Sequence, residues 1–425
     1  MIKRIAMLSV HTCPLAMLGG KETGGMNVYV RELTREFSRR GVAVDVFTRS
    51  QDPEIPHTGS LIGPNGRVFH IVAGPERPYD KNEIFNHLPQ FVRGVREVAA
   101  TEGVRYDILH SHYWLSGLVA RDLRRAWGIP IVQMFHTLAE MKNRVAQTPE
   151  EMESRRRHDC EGEIMHFADR LVAATPIEKG QMAGLYGADP AKISIVPPGV
   201  DLERFRPRPR AEARTKIGTP PDHQMILFAG RIQPLKGIDT LIQAMALVME
   251  RRPELHHHIC LCIIGGDPDL DSTYEHSELK RLHSLKESLG IGDLVTFLGA
   301  KDQDTLVHYY TAASVVVVPS HYESFGMVAL EAMACGTPVI ASDVGGLSYN
   351  VKDGFNGYLV PNGNPVALAD KIALLLEHRS LRDELGQQAH RWAERFSWVN
   401  IADEILEVYH QTLTQPVTPA TAPTT

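Results

Sequence analysis

The sequence predicts two α/β domains, each built on a doubly wound parallel sheet. Three observations lead there. Short β-branched apolar runs alternate with amphipathic helical stretches along nearly the whole chain, the pattern that parallel strands and crossover helices produce. The alternation breaks once, near residues 195–200, and then begins again. The 425 residues also exceed what one hydrophobic core organises.

In the first half the apolar runs are 5–10, 42–48, 108–110, 129–135 and 171–174, with helical patterns at 28–39 and 88–100. The Pro/Arg-rich stretch 206–214 reads as a linker. Six further runs follow, at 225–229, 259–264, 295–298, 315–318, 338–341 and 357–360, with helices at 239–250 and 365–377. The expected division is therefore a Rossmann-like domain over 1–205, a second over 206–398, and a helix over 399–414 that rejoins the first. The Pro/Thr/Ala-rich tail 415–425 is expected to be disordered. Strand C-termini of doubly wound sheets form ligand crevices, so the two domains are expected to face each other across a cleft.

Composition narrows the function. A net charge of −6, with 43% hydrophobic and 23% charged residues, lacks the basic footprint of a nucleic-acid binder. The apolar run after Met1-Ile2-Lys3-Arg4 stops at His11, and no stretch reaches 18 apolar residues. No membrane span is expected, and a cytoplasmic location is. Five dispersed cysteines fit a reducing compartment; Cys260 and Cys262 are expected on opposite sides of a strand. His110 and His112 lack a placed third ligand, and His256-His257-His258 reads as a polar strand entry, so no metal site is expected.

Chemistry concentrates at strand ends. Gly230-Arg231-Ile232-Gln233-Pro234-Leu235-Lys236-Gly237 follows the first strand of the second domain. Two cations there form a clamp for a diphosphate, whose charge grows as a sugar leaves. After the run 315–318 comes Pro319-Ser320-His321-Tyr322-Glu323-Ser324-Phe325-Gly326-Met327. A helix beginning near Ser324 would aim the amides of Phe325, Gly326 and Met327 at an anion. Glu323 would precede that helix and Glu331 would lie about two turns inside it. Paired carboxylates suit the vicinal hydroxyls of a sugar and a ribose. In the first domain, Glu22-Thr23-Gly24-Gly25-Met26-Asn27 opens a helix, and its glycines allow close approach of a phosphate or sugar.

These segments resemble the retaining nucleotide-sugar glycosyltransferases of the GT-B fold, in the branch that includes sucrose and sucrose-phosphate synthases. The likeness runs from Ser9-Val10-His11 to Phe396-Ser397-Trp398. It implies that Arg231 and Lys236 bind the donor diphosphate, Glu323 the donor sugar and Glu331 the ribose. It places the Gly24-Gly25 loop against donor phosphates and acceptor, and His136, in Phe135-His136-Thr137, at the donor sugar's 6-hydroxyl. Members with phosphorylated acceptors resemble this chain at Lys81, Tyr113, Thr137 and Arg157, which would clamp the acceptor phosphate; Lys142 and Asn27 join that acceptor set. A guanidinium suits phosphate because it can bond it through two N–H groups.

The resemblance implies transfer with retention, by positioning and charge stabilisation rather than through a covalent enzyme intermediate. Arg231, Lys236 and His136 with Glu323 are the expected catalytic set. The nucleotide diphosphate sugar is a co-substrate, and no further cofactor is expected. The leading expectation is glucose transfer from UDP-glucose to fructose 6-phosphate, giving sucrose 6-phosphate. The alternative is N-acetylglucosamine transfer from UDP-GlcNAc to inositol 3-phosphate, towards which Met26-Asn27 leans. A non-catalytic nucleotide-sugar-binding protein would be expected to lose Arg231, Lys236 or Glu323, and all three are present. A nicotinamide dehydrogenase would need a G-x-G-x-x-G turn that neither Gly19-Gly20 nor Gly24-Gly25 supplies. The partners are thus a sugar nucleotide and a sugar phosphate, for a monomer or homodimer.

Overall fold

The computed structural model describes residues 2–16, 23–58, 60–220, 223–266 and 273–414. It divides into two compact units, and among the described residues the first holds 2–16, 23–198 and 398–414 while the second holds 199–397. The change of unit at Pro198–Gly199 precedes the expected join at 205–206. Val200 N–H donates to Phe396 O (2.7 Å), and the Phe205 ring lies 6.0 Å from Tyr310, so 199–205 already belongs to the second unit. Much of the expected linker is helix, Arg210–Ile217. Arg210 and Arg214 donate to the last carbonyls of the helix Gln303–Ala312 and to Ala313 O, which satisfies a helix end that has no partners of its own. The expected tail, 415–425, lies outside the described residues.

The first unit contains strands β1 (Arg4–Leu8), β2 (Ala43–Arg49), β3 (Ser60–Leu61), β4 (Gly66–Ile71), β5 (Ile108–His112), β6 (Ile131–Met134), β7 (Arg170–Ala173) and β8 (Ile193–Ile195). Their order is β3-β4-β2-β1-β5-β6-β7-β8, parallel except for β3 against β4. Its central strands bury both faces, hence their continuous apolar runs. Ala6, Leu8, Phe47, Leu109, Ile131 and Leu171 form part of one core.

The second unit contains β9 (Gln224–Ala229), β10 (Ile259–Ile264), β11 (Val295–Phe297), β12 (Val315–Val318), β13 (Val339–Ser342) and β14 (Gly357–Val360), ordered β11-β10-β9-β12-β13-β14 and wholly parallel. Cys260 and Cys262 share one face, as a two-residue spacing on a strand requires. The expectation of opposite faces is thereby corrected.

The C-terminal helix Trp398–Thr414 packs on the helix Gly25–Arg39 of the first unit. Arg40 bonds Asp403 (3.0 Å) and Val399 O (2.8 Å), Phe37 meets Tyr409, and Tyr409 OH lies 2.6 Å from His110 Nδ1. Among the described residues no helix is long and apolar enough to cross a membrane.

Candidate active site

Arg231 and Glu323 in the second unit follow the C-termini of β9 and β12, and Tyr113 and His136 in the first follow those of β5 and β6. In the second unit, Arg231 follows β9 and is half-buried. Pro234–Lys236 forms one 3-10 turn closed by Gly237 at φ 63°. A Cβ at Gly237 would stand 2.1 Å from Pro319 O, so glycine alone lets this turn press against the strand end of β12. His321 N–H donates to Leu235 O (2.9 Å), and Lys236 Nζ reaches Glu323 Oε2 at 2.6 Å. The two loops are thus sewn together, with the Lys236–Glu323 pair at their seam.

The following helix is Met327–Ala334, with Gly326 as N-cap at φ 90°. It begins three residues later than expected, because Ser324–Phe325 is taken up in packing beneath Gly346 and Asn350 Nδ2 donates to Phe325 O (2.6 Å). Phe325 therefore precedes the cap, and Glu331 lies about one turn into the helix rather than two. Glu331 is buried, not surface-facing. Tyr310 OH donates to its Oε2 (3.0 Å) and Gln303 Nε2 to its Oε1 (3.3 Å). A buried carboxylate with its oxygens held by two donors is a fixed acceptor for further hydroxyls.

In the first unit, Gly24 caps the helix Gly25–Arg39, and a Cβ there would meet nothing within 4 Å. Packing does not require that glycine. Asn27 is committed internally. Its Oδ1 accepts from Gly24 N–H (2.9 Å), and its Nδ2 donates to Thr12 Oγ1 (2.6 Å) and Cys13 O (2.7 Å). With 1% exposure it shapes the loop, and the structure gives it no open face for an acceptor. Glu22 of the expected loop lies outside the described residues.

Two residues other than glycine have positive φ among the described residues, Tyr113 (73°) and His136 (63°). Both were singled out from the sequence. Such conformations cost about 1–3 kcal/mol and persist where the surroundings impose them. His136 Nε2 lies 2.9 Å from His112 Nδ1, and Tyr29 packs edge-on against both rings. Burial pushes His136 down to about 3, and burial together with the neighbouring His136 pushes His110 to about 3. These imidazoles are neutral near pH 7, suited to hydrogen bonding and not to donating a proton to a leaving group.

Lys81, Tyr113, Thr137, Lys142 and Arg157 come from five separate segments and meet. Arg157 is buried. Its Nε donates to Glu161 Oε1 (2.7 Å), its NH2 to Thr137 O (2.9 Å) and Thr137 Oγ1 (3.1 Å), and its guanidinium stacks on Tyr113 at 4.6 Å. What joins them was not singled out from the sequence. Glu153, 5% exposed at its side chain, receives Lys81 (3.0 Å), Lys142 and Arg157 NH1 (2.9 Å) on a single oxygen, Oε1. It stands beside Glu150 and Glu151 in sequence. The available signal was imbalance: buried cations need a carboxylate, and Glu153 stands one helical turn before Arg157 in sequence. Among the described residues no group of three or more His, Cys, Asp or Glu could hold a metal ion.

Residues 23–204 match the model of Glycosyltransferase Family 4, and residues 209–392 match that of Glycosyl transferases group 1. The chain is 44% identical over 411 residues to a D-inositol 3-phosphate glycosyltransferase of Actinosynnema mirum, covering 96% of this chain and 97% of that one. Among solved structures, sucrose-phosphate synthase of Thermosynechococcus elongatus superposes with a TM-score of 0.88 at 35% identity, over 96% of this chain and 98% of that one. Anabaena HepE, solved with UDP and glucose, shares the fold with a TM-score of 0.74 at 21% identity, over 96% of this chain and all of that one.

Proposed function

The chain belongs to the GT-B glycosyltransferases, and on that premise we propose that it transfers a sugar, with retention, from a uridine diphosphate donor to inositol 3-phosphate. N-acetylglucosamine is the proposed sugar. The observation that carries the acceptor class is the convergence of Lys81, Lys142 and Arg157 beside Thr137 and Tyr113. Three cations in a mostly buried pocket hold a phosphate far better than exposed ones would. That cluster serves fructose 6-phosphate equally well. Relatives at 44% identity over nearly the full chain support the inositol phosphate over the fructose phosphate expected above.

In this reading the second unit holds the donor. Arg231 and Lys236 neutralise the diphosphate as its bond to the anomeric carbon breaks, and Glu323, paired with Lys236, orients both that lysine and the sugar. Glu331 takes the ribose hydroxyls. The first unit holds the acceptor phosphate and presents a ring hydroxyl to the same face of the sugar that the diphosphate leaves. The departing phosphate oxygen accepts the hydroxyl proton. Neutral His136 bonds the donor sugar, held in orientation by His112. Catalysis is then positioning and electrostatic stabilisation.

The test is product analysis by mass spectrometry after incubation of UDP-GlcNAc with inositol 3-phosphate and, separately, of UDP-glucose with fructose 6-phosphate. The proposal expects a GlcNAc–inositol phosphate as the dominant product. Sucrose 6-phosphate as the dominant product would return the reading to the fructose phosphate, and neither product would refute the acceptor class.

A further inference from the structure

We infer that Glu153 is a built-in stand-in for the acceptor's phosphate, which the phosphate displaces when it binds. The inference rests on the acceptor-phosphate reading above and extends it to a residue outside the expected site. Three facts carry it.

First, the cations do not stand open. Lys81, Lys142 and Arg157 all converge on Glu153 Oε1. They come from the helix starting at Lys81, the helix Ala139–Asn143 and the helix Arg155–Phe167. Without a shared anion, three positive side chains on separate elements would repel one another apart. Glu153 therefore holds the three cations together.

Second, the arrangement is incomplete. Arg157 satisfies Nε and NH2 through Glu161 and Thr137. Its NH1 lies 2.9 Å from Glu153, yet this buried nitrogen makes no aligned hydrogen bond. The contact is an ion pair by distance and misses the N–H direction. A tetrahedral phosphate, with three terminal oxygens, offers acceptors in several directions where one carboxylate oxygen offers a single point.

Third, Glu153 can leave without unfolding its surroundings. Its backbone N–H donates to Asn143 Oδ1 (2.7 Å) and its carbonyl accepts from Asn143 Nδ2 (3.4 Å), so the main chain is pinned by groups other than its carboxylate. Ser154 separately caps the next helix, accepting from Arg157 N–H (3.3 Å). Arg157 stays anchored by Glu161, which is itself held by Ala139 N–H (2.9 Å) and Tyr186 OH (2.6 Å). Burial alone would raise the Glu153 carboxyl, but Arg157, Lys81 and Lys142 hold it well below the usual range. It is therefore charged at neutral pH, and a dianionic phosphate beside it meets a like charge. Rotation of the side chain away from Lys81 and Lys142 relieves that repulsion.

The consequence is a pair of effects of opposite sign. Glu153→Gln removes the competing charge and so tightens phosphate binding, by about tenfold for a like charge a few ångströms away. The same change removes the anion that stabilises the empty pocket, so the ligand-free protein melts at a lower temperature. A residue that merely supported the pocket would lower both.

The experiment is calorimetric titration of the wild-type chain and the Glu153→Gln variant with inositol 3-phosphate, inorganic phosphate and unphosphorylated inositol at pH 7, with thermal melts of both proteins without ligand. The expected result is tighter inositol 3-phosphate and phosphate binding by the variant, unchanged inositol binding, and a lower melting temperature. Should the glutamine variant fail to fold, Glu153→Asp serves, since its shorter carboxylate withdraws from the lysines and shifts both quantities in the same directions. Inositol 3-phosphate binding by wild type that either variant weakens or leaves unchanged would overturn the inference alone. Absence of binding of every phosphate by both proteins would overturn the acceptor-phosphate reading and this inference with it.

Discussion

The two units arrange their cations in different ways. In the first, three cations are gathered from three helices into a mostly buried cluster, balanced by Glu153 and Glu161, beside two residues held at positive φ. In the second, Arg231 and Lys236 sit on one turn, partly exposed, and the visible ion pair is Lys236 with Glu323. The turn is held by the close backbone approach at Gly237, with the Lys236–Glu323 pair beside it. A phosphate that remains bound through the reaction can be met by a pre-balanced pocket. A diphosphate whose charge grows during the reaction is better met by cations whose interaction strengthens only as the bond breaks.

That contrast orders the expected effects of change. Lys236→Ala should be the most damaging, lowering kcat by about 10²–10³-fold, the usual cost of losing one charge-stabilising donor. Its acceptor KM should stay constant, and steady-state kinetics with each substrate varied in turn will show it. A matching rise in acceptor KM would dissolve the distinction between the two sites.

Arg157→Lys comes next. It keeps the charge opposite Glu161 but loses the fork to Thr137, and should reduce kcat/KM for the acceptor about 10- to 100-fold, in proportion to the charged hydrogen bonds lost. The donor KM should not move.

A smaller effect follows from pH. Burial and the neighbouring Lys81 charge push Lys142 down to about 8 from 10.5. Above about pH 8 the cluster loses a cation, so kcat/KM for the acceptor should fall there. Unfolding is not the cause, because between 8 and 10.5 the unfolded chain binds the extra proton and rising pH favours the folded state through this group. Lys142→Arg should move the fall to higher pH, as read from kcat/KM profiles.

The smallest effect is expected at Tyr409→Phe. It deletes the bond to His110 across the C-terminal helix, costing about 1 kcal/mol of stability in denaturant unfolding, with kcat unchanged.

How much of this was legible in the sequence follows from burial. All six strands of the second sheet were visible because both faces are apolar, as Val315–Val318 shows. In the first sheet β3, β4 and β8 were missed. Arg67 and His70 interrupt β4, the former to pair with Asp45 and Glu102 and the latter to meet Pro56 O. β8 is three residues at a sheet edge with Ile195 partly exposed. Among site residues, those at strand ends were found because position and residue type agreed. Glu153 was not, since its meaning lies in three cations up to 72 residues away in the chain. Asn27 was placed in the acceptor set by the resemblance, and its side chain is spent on Thr12, Cys13 and Gly24.

The central claim is that the first unit selects its acceptor by a phosphate group. Its most direct test is the ratio of kcat/KM for inositol 3-phosphate to that for unphosphorylated inositol, with UDP-GlcNAc saturating and UDP release as the signal. The account predicts a ratio of about 10³ or more, as expected from several charge-assisted bonds, collapsing towards unity in Arg157→Ala. Equal rates with the two acceptors in the wild-type chain would contradict it.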